Sequence, residues 1–117
     1  MRCLIVDDDA SFLDAASLLL EHQGVGVVGV ATTSAEALER VEELRPDVIL
    51  VDVNLGAESG FELSEKLHRD GRSAPVILIS THAEQDLADM IAINPAVGFL
   101  PKLALSSDAI SELLEAR

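Results

Sequence analysis

Five apolar runs of strand length punctuate this chain, and a helix-length segment follows each of them. The runs are Cys3-Leu4-Ile5-Val6, Val25 to Ala31, Asp47-Val48-Ile49-Leu50-Val51, Pro75-Val76-Ile77-Leu78-Ile79 and Ala96-Val97-Gly98-Phe99-Leu100. The first, third and fourth are continuously apolar. A strand with one wet face alternates apolar and polar residues, whereas an unbroken run needs both faces covered, as in a parallel sheet. Five βα repeats therefore predict an α/β fold: a doubly wound, five-stranded parallel sheet with right-handed crossovers and helices on both faces.

The intervening segments have helical spacing. Ser11 to Gln23 sets Phe12, Ala16, Leu19 and Leu20 on one side, and Gly24 stops it. Ser34 is the expected N-cap of a helix over Ala35 to Leu44, with Ala37, Leu38, Val41 and Leu44 inward and Pro46 beyond its end. A third helix, Ser59 to Arg69, carries Phe61, Leu63 and Leu67. A short fourth, Glu84 to Ile91, carries Leu87, Met90 and Ile91. Ser106 or Ser107 caps the last, which runs to Ala116 with Ile110, Leu113 and Leu114 inward. At 117 residues, with no linker or low-complexity stretch, the expectation is one domain over 1–117.

Charge and composition narrow the function. The net charge is −13, and the eight Lys and Arg are scattered, which argues against direct nucleic-acid contact by this domain. Three Phe are the only aromatics, too few for a base-stacking platform. No run approaches the roughly 18 apolar residues of a membrane span, and no signal-peptide pattern is present; a cytoplasmic location is the expectation. Cys3 is the lone cysteine, so no internal disulfide or multi-cysteine metal site is available, and its apolar neighbours predict burial. A literal G-x-G-x-x-G at Gly24, Gly26 and Gly29 lacks the required context: a helix precedes it and a strand runs through it, the reverse of a dinucleotide site.

The acids are better placed. Asp7, Asp8 and Asp9 follow the first strand, and Asp52 follows or ends the third. In a parallel sheet these strand ends share one side, where ligands of such folds bind. If the strands are neighbours, Asp7, Asp8 and Asp52 converge, and converging carboxylates repel unless a cation joins them. Oxygen ligands select a hard cation, and Mg²⁺, which binds through one or two carboxylates and retains waters, suits the set. Asp9 is expected to cap the first helix or to face solvent. Ser80 and Lys102 fall at the ends of the fourth and fifth strands on the same side. A carboxylate nucleophile, a hydroxyl, an ammonium and a hard-cation site together suit phosphoryl transfer to a carboxylate.

With these residues in order, the chain resembles the receiver domains of two-component response regulators over its whole length. The resemblance rests on Ile5-Val6-Asp7-Asp8-Asp9, Val51-Asp52-Val53-Asn54, Gly60 eight residues past Asp52, Ile79-Ser80 and Gly98-Phe99-Leu100-Pro101-Lys102. It implies the strand order 2-1-3-4-5. It also implies that Asp52 accepts a phosphoryl group from a sensor histidine kinase. Asp8 then ligates Mg²⁺ directly, Asp7 assists through water, and the Asn54 backbone carbonyl adds a ligand. Lys102 and Ser80 engage the phosphoryl group, and Phe99 is the aromatic switch residue whose rotamer follows Ser80. No catalysis on outside substrates is implied beyond self-catalysed phosphotransfer and dephosphorylation. A metal-dependent phosphatase would need a substrate pocket or cap.

Three positions depart from the family pattern. Gly56 replaces a usual Pro and should free its loop, Thr81 replaces a smaller residue beside Ser80, and Leu103 replaces a Pro after Lys102. Gly56, Thr81 and the neighbouring His82 are candidate modulators of phosphoryl chemistry. The departures also motivate a second function, an interaction module with the receiver fold that works without phosphorylation. The end of the chain resembles receivers joined to helix-turn-helix domains, so DNA would be reached only through an output segment outside it; a stand-alone receiver is the other expectation. The face bearing the last two helices is a candidate homodimer surface.

Overall fold

A computed structural model describes residues 1–71 and 74–116. Five parallel strands form the central sheet: β1 (Arg2–Val6), β2 (Gly26–Ala31), β3 (Val48–Asp52), β4 (Val76–Ser80) and β5 (Gly98–Pro101). Their order is β2-β1-β3-β4-β5, the expected one. The helices are α1 (Ala10–His22), α2 (Ser34–Leu44), α3 (Gly60–Asp70), α4 (Ala88–Ile93) and α5 (Ser107–Ala116).

The period-two pleat divides each buried strand between two cores. Cys3, Ile5, Val48, Leu50, Ile77 and Ile79 pack with Leu13, Ala16 and Leu20 of α1 and Ile110 of α5. Leu4, Val6, Ile49, Val51, Val76 and Leu78 pack on the opposite face with Ala37 of α2 and Phe61, Leu63 and Leu67 of α3. Continuous apolarity in β1, β3 and β4 thus means two half-strands facing two helical layers. Burial also pushes the Cys3 thiol up to about 12, so it is a core residue and not a nucleophile.

The glycine motif dissolves into separate local jobs. Gly24 takes φ +89 in the turn after α1. At Gly29, a Cβ would sit 2.7 Å from Leu44 Cδ1, so the missing side chain lets α2 lie close on β2. The β1–β2 register slips between Cys3 and Leu4, a bulge on the edge strand.

Some helix details differ from expectation. Leu19 is exposed, and Leu13 takes the inner place: positions 13, 16 and 20 form the buried stripe of α1. Thr33, not Ser34, caps α2; its Oγ1 accepts the Glu36 N–H, while Glu36 Oε1 accepts the Thr32 N–H, a reciprocal box that starts the helix one residue earlier. The fourth segment is a 3₁₀ turn (Glu84–Leu87) followed by the short α4, without a side-chain cap. Leu87 and Ile91 pack inward and Met90 is exposed. Ser106 caps α5 by accepting the Ala109 N–H.

Leu50, fully buried at the centre of β3, tests the packing. Leu50→Ala should cost about 2–5 kcal/mol in denaturant unfolding, from lost transfer energy plus the cavity left behind.

Candidate functional site

Strand ends build the site. The Asp7 N–H donates to Ala31 O at 3.0 Å, holding the end of β1 against β2. Asp7 Oδ1 accepts the Asp9 N–H at 2.9 Å. Asp9 Oδ1 accepts the N–H groups of Ser11 and Phe12 at 3.0 and 3.3 Å, so Asp9 is spent on capping α1. Asp52 is the last residue of β3, and its Oδ1 accepts the Asn54 N–H at 3.2 Å. Asp7, Asp8 and Asp52 each place one carboxylate oxygen within 4.8 Å of the others. Asp7 and Asp52 are buried and Asp8 is exposed, so the cluster has a solvent side.

Lys102 reaches into this cluster from the end of β5. Its Nζ lies 2.6 Å from Asp7 Oδ2 and 3.1 Å from Asp52 Oδ2. The ammonium is thus the group that meets the buried Oδ2 of Asp7. Burial raises the Asp7 carboxyl above the ordinary range, and the nearby Asp52 charge adds to this, while contacts from Lys102 and the Asp9 N–H oppose it. For Lys102, burial acts to lower the ammonium, but bonds to Asp7 and Asp52 outweigh it and hold the group above its ordinary value. One ammonium thus pairs with two of the three clustered carboxylates. A converging, all-oxygen set of three carboxylates, two of them buried, fits a hard divalent cation.

Ser80 ends β4 and is buried; its Oγ accepts the His82 N–H at 3.0 Å and lies 3.4 Å from His82 Nδ1. A cavity of about 390 Å³ is lined by Asp9, Phe12, Ser80, Thr81, Lys102 and Leu103, among others, so the hydroxyl and the ammonium share one mouth. Thr81 and His82 are exposed at its edge, and Leu103 projects fully into solvent from a 3₁₀ turn over Lys102–Ala104. Phe99 pairs in register with Leu78 and is buried in the core beneath α3 and α4, away from the mouth.

Comparison with known proteins decides the family. The family model for the response regulator receiver domain matches residues 3–115. The chain belongs to that family. The response regulator GacA of Pseudomonas viridiflava is 30% identical over 99% of this chain, which covers 53% of that protein. A protein-glutamate methylesterase/protein-glutamine glutaminase of Geobacillus kaustophilus is 34% identical over 87% of this chain and 30% of its own length. This receiver therefore spans 53% of the first of these curated relatives and 30% of the second. Among solved structures, the signal receiver domain of NarL from Mycobacterium tuberculosis superposes with a TM-score of 0.84 at 28% identity, covering 98% of this chain and 94% of that one. The response regulator domain of Thermotoga maritima CheB gives 0.77 at 30% identity, covering 99% and 92%.

Two glycines of the receiver shape the loop after Asp52. A Cβ on Gly60 would fall 1.9 Å from the Asp52 carbonyl oxygen, so only glycine lets α3 start against the end of β3, where the Gly60 N–H donates to Val53 O. Gly56 does not loosen its loop as its sequence suggests. Asn54 pairs with Ser59 and Leu55 with Glu58 in a small antiparallel hairpin, and Gly56 takes φ +73 in its two-residue turn. Proline, locked near φ −65°, cannot adopt that conformation. Glu58 Oε1 then accepts the Ser34 N–H at 3.0 Å, tying the hairpin to the start of α2. Within this site, sequence reasoning missed Phe12, read only as a core residue of α1: Lys102 Nζ stands 4.3 Å from its ring centroid.

Two outcomes follow from this geometry. Gly60→Ala should destabilise the receiver by ~3 kcal/mol in chemical unfolding, because backbone on both sides must move. Asp7→Asn concerns charge. A carboxyl raised on folding contributes stability below its unfolded pKa and loses it as pH rises through the folded value. In metal-free buffer at neutral pH, Asp7→Asn should therefore raise the unfolding midpoint, the gain vanishing below the ordinary carboxylate range. Added Mg²⁺ should raise the wild-type midpoint more than the variant's.

Proposed function

We propose that this receiver accepts a phosphoryl group on Asp52 from a sensor histidine kinase and so switches the surface it offers to an output. The observation that carries the reading is the Asp52 carboxylate at the end of β3, 3.1 Å from the Lys102 ammonium and beside Asp7 and Asp8. Asp52 Oδ1 is engaged by the Asn54 N–H, while Oδ2 faces the ammonium. In the transfer, an Asp52 oxygen forms a new P–O bond as the P–N bond of a phosphoimidazole breaks. The electron pair returns to the ring nitrogen, which takes up a proton. Lys102 offsets charge on the phosphoryl oxygens.

Asp7, Asp8, Asp52 and the Asn54 carbonyl would hold Mg²⁺. When bound, the ion supplies further charge balance at the same oxygens. Ser80, freed from His82, donates its hydroxyl proton to a phosphoryl oxygen, and Phe99 turns into the space vacated. Thr81 narrows the approach, and His82 and Gly56 set how readily Ser80 and Asp8 engage.

The added charge of about −1.5 to −2, by analogy with phosphoamino acids, biases an existing two-state equilibrium. The domain spans residues 1–117, works in the cytoplasm and acts on no substrate other than its own aspartate. Among the described residues no helix is long and apolar enough to cross a membrane, which is compatible with that location. Its output is transcriptional where a helix-turn-helix segment is attached, and homodimerisation uses the α4–α5 face.

Incubation with phosphoramidate and Mg²⁺ should add one phosphoryl mass by intact mass spectrometry, and Asp52→Asn should take up none. An unmodified wild type with both this donor and the cognate kinase favours the phosphorylation-independent module.

A further inference from the structure

Lys102 has three close neighbours, and only two of them are acids. Asp7 and Asp52 hold its Nζ at 2.6 and 3.1 Å, and the Phe12 ring lies 4.3 Å away. Phe12 stands in the first turn of α1, whose start is fixed by the Asp9 cap. Its ring is half-buried, packed at the edge of the α1–α5 core, and lines the mouth cavity with Ser80 and Thr81.

A lysine ammonium rides on a flexible four-carbon stem and is strongly hydrated, so without a wall it samples solvent. An aromatic face attracts the cation through its quadrupole but carries no net charge. It can therefore retain the ammonium without neutralising it, whereas a further carboxylate would compete with an incoming phosphoryl oxygen. An aliphatic side chain of similar size would fill the space without the attraction.

We infer that Phe12 is a positioning residue for phosphoryl transfer: its ring face keeps the Lys102 ammonium at the mouth of the site, beside the Asp52 carboxylate. This rests on the phosphoacceptor reading of Asp52. The role belongs to the face of the ring, so tyrosine preserves it and leucine removes it.

The test uses the full chain with Phe12→Leu and Phe12→Tyr, checked for matching thermal unfolding. Two measurements are made. One is the rate of phosphoryl incorporation from phosphoramidate with Mg²⁺. The other is the proton chemical shift of the Lys102 ε-methylene in the metal-free protein, which a ring face moves upfield. Phe12→Leu should slow incorporation about three- to tenfold and lose the upfield shift, while Phe12→Tyr keeps the shift and stays within about twofold of wild type. Incorporation by Phe12→Leu at the wild-type rate, or by Phe12→Tyr as slowly as by Phe12→Leu, overturns the inference. So does an ordinary ε-methylene shift in the wild type. A wild-type chain that takes no phosphoryl group overturns the phosphoacceptor reading and the transfer role with it, while the shift still decides whether the ring holds the ammonium.

Discussion

Repulsion among three carboxylates at one end of the sheet is the constraint around which this receiver is built. Asp7, Asp8 and Asp52 stand within 4.8 Å of one another, and two of them are buried. Such an arrangement costs free energy, and the fold sustains it only because β1 and β3 are rigid and deeply packed on both faces. Lys102 offsets part of the charge. The remainder is a charge that a hard cation would offset, which links the packed core to the strand ends above it.

The sheet order puts that affinity in place. The chain reverses its winding between β1 and β3, so their carboxyl ends open onto a common crevice, with β4 and β5 bringing Ser80 and Lys102 alongside. Residues far apart in sequence become neighbours because each is the last rigid position before a loop. The backbone bonds Asp7 N–H to Ala31 O and Val53 N–H to Ile79 O extend the sheet one step beyond the strands, so the acids sit on a firm edge.

Much of this was legible from residue order. The unbroken runs in β1, β3 and β4 announced a two-sided sheet, and the acids at their ends announced the crevice. Asp9 read correctly as a cap because a short acidic side chain before an apolar helical stripe has few better uses. What escaped was set by rotation and by three-dimensional approach. The inner stripe of α1 uses Leu13 where the sequence reading put Leu19, because helical periodicity alone leaves the angular origin free until the sheet fixes it. Phe12 was visible only as an apolar residue; its meeting with Lys102 joins the first turn of the first helix to the end of the last strand. Gly56 was misread because a glycine in place of proline suggests slack, whereas φ +73 within a paired hairpin is a specific conformation.

The contact from Glu58 to Ser34 has a consequence for cooperativity. The first amides of a helix have no partners within it, and here one of them is satisfied by a side chain 24 positions away. Local opening of the loop after Asp52 therefore frees the Ser34 amide, and fraying at the start of α2 frees Glu58. The segment after Asp52 and the first turn of α2 are thereby coupled through one exposed carboxylate.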